Sequence, residues 1–483
     1  MKNRERYIWI GVTVVLLLFL TVIGFAPTAL AQSRGKSVEE YVRLFEQVFR
    51  FIHDNYVDVV DAEKLFQGAM DGLFQSLDDP YSSYLLPKEM EDITDTTSGK
   101  FGGVGLYITK PSRANSQDSS EGSSSLPDRN ETLYVRVVSP IEGTPASRAG
   151  ISAGDLITKI EDESTKKMSI DEVVDKLRGD PGTRVTITIL REGDIEFQVT
   201  LTRAIIEVPT IRKDIIPGGI GYLRIIQFTP LTDDRVEEAI EFFESNGYSS
   251  LIIDVRSNPG GLLRAVVDTA DLFLSGGIIV STRSRIPSEN NVFTAREEAK
   301  VPSSIPIVVL IDKGSASASE ILAGALKDRN RAYLIGETTF GKGSVQQVKS
   351  LNGSGFKLTM ARYYTPSGTN IDHKGVEPHK VVKEKELTEK ERESYRKLLE
   401  EGIVEKFMQG KPKPNGSEIE NFVAKLREQG IVLEERIIRK LIRNEINKTC
   451  NSPPVYDLDY DIVLQEAVKM LREGKIKSNL EGM

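Results

Sequence analysis

Two short stretches hold the residues best able to do chemistry. One is the serine-rich turn Gly314-Ser315-Ala316-Ser317-Ala318-Ser319-Glu320, and the other is Gly341-Lys342-Gly343. A serine nucleophile usually hands its proton to a histidine. This chain has three histidines: His53 in an N-terminal helical segment, and His373 and His379 in a Gly/Pro-punctuated stretch. A lysine can replace histidine when desolvation lowers its pKa enough to leave a free amine. Glycines on both sides of Lys342 remove side-chain bulk and let backbone approach closely. The serine turn runs into an apolar helical pattern (Ile321, Leu322, Ala325, Leu326), whose first N–H groups could bind an oxyanion. Plainer roles fit the same residues. Ser317-Ala318-Ser319-Glu320 is also a helix capping box, and a lysine between glycines suits a solvated turn. Spacing leaves Ser315, Ser317 and Ser319 equally eligible as nucleophile. The isolated S-x-x-K matches at Ser33, Ser164 and Ser394 lie in polar segments and carry no weight.

Composition narrows the field. With 39% hydrophobic and 28% charged residues the chain reads as soluble and globular, and its net charge of −8 offers no basic patch for nucleic acid. A single cysteine, Cys450, excludes an intrachain disulfide framework and a thiolate metal cluster. No H-E-x-x-H occurs, so no metal or other cofactor is expected. At the N-terminus Lys2, Arg4 and Arg6 precede an uncharged apolar run from Tyr7 to Ala26, then Ala29-Leu30-Ala31 before Gln32. Residues 1–31 therefore read as a cleaved export signal or a retained membrane anchor, with the remainder on the periplasmic or extracytoplasmic side.

About 450 residues remain beyond it, enough for roughly three domains. Apolar residues at helical spacing (Val38, Val42, Phe45, Phe49, Ile52, then Leu65, Ala69, Leu73, Leu77) predict a helical N-terminal region over 37–95. From 100 to 203 short strands dominate, interrupted by a serine-rich, disordered insert at about 112–132. From about 210 to 382 strands and helices alternate, which predicts a sheet flanked by helices. Residues 383–483 read as charged amphipathic helices, the first running from Leu387 to Phe407.

Within 100–203, Gly102-Gly103-Val104-Gly105-Leu106 followed by a strand, then Pro145 to Ile151 and Gly154-Asp155-Leu156-Ile157, resembles a PDZ domain. The glycine turn matches that family's carboxylate-binding loop, whose N–H groups hold a peptide C-terminus while the adjacent strand accepts the peptide. Phe101 and Tyr107 would shape its pocket.

The larger pattern resembles the carboxyl-terminal processing peptidases, or tail-specific proteases. It comprises Asp254-Val255-Arg256-Ser257-Asn258-Pro259-Gly260-Gly261, then Gly314 to Glu320, then Gly336 through Gly341-Lys342-Gly343 to Gln346, then Tyr364-Thr365-Pro366-Ser367-Gly368. The resemblance spans about Ser37 to Val382 and implies a multidomain α/β (α+β) chain. Its parts are a crotonase/ClpP-like protease core, an inserted PDZ-like β domain, and helical N- and C-terminal regions. It implies Ser317 as nucleophile, Lys342 as general base and Gln346 as the residue orienting the amine. It also implies an oxyanion hole from the N–H groups of Ala318 and Gly261, with Gly260 the alternative, and a regulatory Arg178 that couples the PDZ unit to the protease body. Local pairing of Arg178 with Asp175 or Asp180 is the plainer expectation. The implied partners are protein or peptide substrates held by their C-termini, a second copy of the chain, and an adaptor or activator protein. An inactive PDZ scaffold and a crotonase-like acyl-CoA-binding enzyme are the rival readings, and intact Ser317, Lys342 and Gln346 argue against both.

Overall fold

The structure is a computed structural model describing residues 37–110, 134–141, 143–191, 195–409, 411, 413–448, 450 and 453–477. The expected signal segment and the serine-rich insert lie outside the described residues. Among the described residues no helix is long and apolar enough to cross a membrane.

The chain forms two units, one ending at Tyr84 and the other beginning at Leu85. In the first, α1 (Val38–Asn55) opens on a reciprocal cap in which Ser37 Oγ accepts the Glu40 N–H and Glu40 Oε2 accepts the Ser37 N–H. Helix α2 (Ala62–Gln75) is capped by Asp61. The expected periodicity is present, yet neither helix buries a residue, and Val38, Val42, Phe45 and Phe51 remain exposed. Two helices alone have too little surface to enclose an apolar stripe.

The second unit begins with α3 (Pro87–Ser98) and β1 (Lys100–Gly103). Then come β2 (Leu106–Thr109), β3 (Val135–Pro140), β4 (Leu156–Ile160), α4 (Ile170–Leu177), β5 (Arg184–Arg191), β6 (Ile195–Thr202) and β7 (Ala204–Glu207). Strands β2 to β6 form an antiparallel sheet in sequence order, closed over Val135, Val137, Ile157, Val173, Ile187 and Ile189. Strands β1 and β7 pair separately as a two-stranded ribbon.

The central body contains β8 (Ile211–Ile216), β9 (Ile220–Ile225), α5 (Thr232–Ser245), β10 (Ser250–Asp254), α6 (Leu263–Asp271), β11 (Ile278–Arg283) and β12 (Val292–Thr294). It continues through β13 (Ile307–Ile311), α7 (Ala318–Asp328), β14 (Ala332–Gly336), β15 (Ser344–Leu351), β16 (Ser354–Tyr364) and β17 (Lys380–Val381). Its main sheet has the order β8-β9-β10-β13-β14-β17, with β8 antiparallel and the rest parallel. Successive side chains of a strand point to opposite faces. Leu251, Ile253, Ile307 and Val309 accordingly join the core under α5, α6 and α7, while Ile252, Val308 and Leu310 face the other way. This two-sided burial explains why these strands read as continuous apolar runs.

Strands β12-β11-β16-β15 form a second, antiparallel group that the sequence reading did not resolve. A signal for its long hairpin exists: Asn352 and Gly353 both have positive φ (47° and 93°), the pair favoured in two-residue hairpin turns.

In the C-terminal region the single helix expected over 387–407 is two, α8 (Glu389–Glu400) and α9 (Ile403–Met408), broken at Gly402 with φ 56°. With α10 (Gly416–Glu428) and α11 (Glu435–Lys448) they enclose Leu398, Val404, Val423, Leu426 and Ile438. The last helix, α12 (Ile462–Arg472), leaves that cluster. Its Leu464, Ala467, Val468 and Met470 cover the face of the main sheet that bears Ile252 and Val308.

Candidate active site

Three turns singled out in the sequence follow the carboxyl ends of neighbouring strands. Strand β10 leads to Asn258–Gly261, β13 to the serine turn, and β14 to the lysine loop. Adjacent parallel strands bring their carboxyl ends side by side, so the order β10-β13-β14 gathers these loops at one edge.

Ser317 occupies the junction of β13 and α7 with φ 55° and ψ −114°. A non-glycine residue held there stores on the order of 1–3 kcal/mol of strain. Strand–turn–helix elbows use such a conformation to present a nucleophile. The neighbouring serines are fully buried and engaged: Ser315 Oγ donates to the Val255 carbonyl (2.8 Å) and Ser319 Oγ to the Asn258 carbonyl (3.0 Å). Ser317 is only partly buried.

Asn258, also fully buried, shapes the facing turn. Its Nδ2 donates to the Ile225 carbonyl, its Oδ1 accepts the Gly260 N–H (2.8 Å), and its carbonyl accepts the Ala316 N–H. The Gly260 N–H is therefore occupied. Those of Gly261 and Ala318 have no hydrogen-bond partner among the described residues. Gly261 has φ 145°, and a Cβ there would fall 2.0 Å from the Phe228 carbonyl oxygen, so only glycine fits. Gly260 packs directly on the serine turn, where a Cβ would lie 2.8 Å from Ser317 Cβ.

Glu320 joins the serine turn to the lysine loop. Its fully buried carboxylate accepts the Ser317 N–H (2.8 Å), the Lys342 N–H (2.8 Å), the Gly341 N–H (2.7 Å) and the Thr339 hydroxyl (2.6 Å). The Ser317 and Lys342 nitrogens share one oxygen, Oε2, which holds them within twice that bond length of each other. Burial pushes the Glu320 carboxyl above its usual range, and these four donors oppose the shift. A second buried strut, the Tyr363 hydroxyl, lies against the carbonyls of both Ser317 (3.1 Å) and Lys342. From the other side Asp372 Oδ1 accepts the Gly343 N–H, and a Cβ on Gly343 would fall 2.5 Å from the Asp372 nitrogen.

Gln346 lies at the start of β15, next to a bulge in its pairing with β16, and its Nε2 donates to Ser344 Oγ (2.9 Å) and Thr359 Oγ1 (3.2 Å). Of the histidines, His53 pairs with Asp54, His373 is exposed with its backbone N–H on the Gly341 carbonyl (2.8 Å) and its ring 3.8 Å from Asp372, and His379 Nδ1 accepts the Leu334 N–H with its ring stacked on Tyr333.

A second candidate site lies in the small sheet. A cavity of about 230 Å³ is lined by Gly103, Val104, Gly105, Leu106, Val174 and Arg178. Strand β2 is an edge strand of its sheet, so one side of its backbone is unpaired within it. Gly102 stands beside this groove, its carbonyl accepting the Gly179 N–H. Arg178 pairs with neither Asp175 nor Asp180. Its Nη1 reaches Asp92 (3.3 Å) and Asp95 (3.1 Å) on α3, and its guanidinium lies over the Phe101 ring. Sequence reasoning missed Asn258, Tyr363 and Asp372, and saw Glu320 only as a helix cap. The S-x-x-E spacing was a true signal that understated what that residue holds.

A strained serine between strand and helix, packed against a glycine turn, is the kind of site that serine hydrolases use. Residues 219–382 match peptidase family S41, 136–191 match the PDZ domain, and 26–89 match the activating protease CtpB N-terminal domain. The glycine turn at Gly102–Leu106 stands ahead of the matched PDZ span. A carboxy-terminal-processing protease of Bartonella bacilliformis is 38% identical over 446 residues, covering 90% of this chain and 96% of that protein. The carboxy-terminal processing protease CtpA of Bacillus subtilis is 33% identical over 381 residues, covering 78% and 77%. Among solved structures, a photosystem II D1 C-terminal processing protease has 30% identity and a TM-score of 0.40, covering 72% of this chain and 93% of that one. The chain belongs to the carboxy-terminal processing proteases of peptidase family S41, and it is a serine-type peptidase carrying a PDZ domain.

Proposed function

We propose that the chain is an exported endopeptidase that cleaves proteins by a Ser-Lys mechanism after holding their C-termini in its PDZ groove. The observation that carries this reading is the Glu320 carboxylate, which binds the backbone of Ser317 and of Lys342 through a single oxygen. In the reaction the neutral Lys342 amine takes the Ser317 Oγ proton, and the alkoxide attacks the scissile carbonyl. The N–H groups of Gly261 and Ala318 receive the oxyanion. The Lys342 ammonium then protonates the leaving amine, and water, deprotonated by the same amine, releases the acyl group. Gln346 orients the lysine. The glycine turn at Gly102–Leu106 receives the substrate carboxylate, and its apolar surroundings favour an apolar last residue. Arg178, tied to α3, relays occupancy of the groove to the protease body.

The basic, apolar N-terminus supports export, with the signal cleaved or kept as an anchor. The exposed apolar faces of α1 and α2 support burial against a second copy of the chain, and an activator protein is a further partner of this arrangement. The test is proteolysis of an unstructured protein with and without an apolar C-terminal tail. Wild type cleaves the tailed protein faster. Ser317→Ala and Lys342→Ala lose at least about 10³-fold, and Gln346→Ala loses less. Full activity in Lys342→Ala refutes the mechanism, and equal cleavage of tailed and untailed protein refutes the role of the groove.

A further inference from the structure

Arg256 stands two residues before Asn258, whose side chain fixes the turn that presents the Gly261 N–H. Its guanidinium, mostly buried, is held between two carboxylates. Asp254, the fully buried last residue of β10, accepts from the Arg256 backbone N–H (3.0 Å), from Nε (2.9 Å) and from Nη2 (2.5 Å), and also takes the Tyr222 hydroxyl (2.7 Å). The remaining side of the fork goes to Asp461, with Nη1 2.8 Å from Oδ1 and Nη2 2.6 Å from Oδ2. Asp461 lies 205 residues downstream, beyond the span that matches the peptidase family. It also caps α12, its Oδ1 accepting the Leu464 N–H (3.0 Å).

A planar guanidinium gripped on both sides has little freedom to rotate. The backbone leaving it runs through Ser257, itself at φ 56° and bonded to Asp312, into Asn258. We infer that Asp461 is a positioning residue for the oxyanion turn. Through this carboxylate the C-terminal helix holds Arg256, and with it the Asn258–Gly261 loop, in the geometry that acylation needs. The last helix is then a working part of the protease body. This inference rests on the assignment of Ser317 and Gly261 above.

The pair can be separated from the cap, because asparagine caps a helix about as well as aspartate. In the full chain, Asp461→Asn keeps the cap and removes the charge facing Arg256. The readouts are labelling of Ser317 by an active-site-directed fluorophosphonate, kcat and KM on a tailed protein substrate, and affinity for an apolar C-terminal peptide. Asp461→Asn lowers the labelling rate and kcat by about tenfold, with KM and peptide affinity unchanged, and Asp461→Glu recovers part of the loss. Leu426→Ala, which opens the separate cluster enclosed by α8 to α11 and leaves α12 seated on the sheet, lowers the melting temperature but leaves the labelling rate of folded protein unchanged. Wild-type labelling rates in Asp461→Asn overturn the inference, as does an equal loss in folded Leu426→Ala. Failure of wild type itself to label at Ser317 would instead overturn the proposed mechanism.

Discussion

The two glycine turns of this chain are held to different degrees. Besides backbone bonds from the His373 and Tyr363 N–H groups to the Gly341 and Gly343 carbonyls, the lysine turn, Gly341 to Gly343, is fastened by side chains from three other segments: Glu320 from α7, Tyr363 from β16, and Asp372. The groove turn, Gly102 to Gly105, is held mainly by backbone bonds, its carbonyls accepting the N–H groups of Gly179, Ala146 and Ile141. Beside the first, a strained serine is pinned in place. Beside the second, an edge strand and a cavity stay open. Chemistry needs atoms fixed before substrate arrives, because reorganisation during the reaction raises the barrier. Recognition of many chain ends needs only an open backbone edge and an apolar floor.

That contrast can be broken first at Glu320. Glu320→Gln keeps the shape but puts an NH₂ among donors, leaving at least one buried N–H unpaired. Stability falls by about 2–3 kcal/mol, and activity per folded molecule falls by at least about tenfold. Chemical denaturation and fluorophosphonate labelling measure the two effects. A mutant that labels at the wild-type rate shows that the carboxylate does not position the turns.

The groove side is probed more gently. Arg178→Ala removes the contacts with Asp92, Asp95 and Phe101 without altering the glycine turn. Activity on a tailed substrate falls by about fivefold, while affinity for an apolar C-terminal peptide is retained. Unchanged turnover removes the coupling role, and lost peptide affinity makes Arg178 a binding residue instead.

The smallest effect sharpens the comparison from outside both turns. His379 is exposed as a residue, yet desolvation of its ring and nearby Lys327 hold its pKa below the usual histidine value, and Nδ1 must stay unprotonated to accept the Leu334 N–H. Below a pH of about 6.5 the unfolded chain takes up this proton first. The stabilisation is therefore present above that pH and is lost as pH falls through the lower folded value. Solvent screening keeps the effect modest. Melting temperatures measured from pH 7.5 to 5 fall less steeply in His379→Gln than in wild type. Parallel curves exclude the histidine as a source of acid sensitivity.

Much of this organisation was legible along the chain. Buried parallel strands announce themselves as unbroken apolar runs, as at Leu251–Asp254 and Ile307–Ile311, because both faces are covered. The helix after Ser317 was legible from its cap and its apolar spacing. The antiparallel β11, β12, β15 and β16 were not resolved, since polar residues such as Gln346, Lys349 and Lys357 interrupt their half-exposed pattern. The break at Gly402 was missed because a single glycine is tolerated inside a helical pattern and ends a helix only where the following packing turns away.

Local chemistry, then, was fixed by the order of residues alone: a serine at a helix entrance, a lysine between glycines, a glycine turn before a strand. Those properties depend on neighbours a few positions apart. Which two of the three serines are buried and bonded through their hydroxyls, and where Arg178 and Asp461 find their partners, were decided only by the tertiary structure. Each of those answers depends on groups from segments tens to hundreds of residues away, and only the register of the sheet and the packing of α7 and α12 bring them within hydrogen-bond reach.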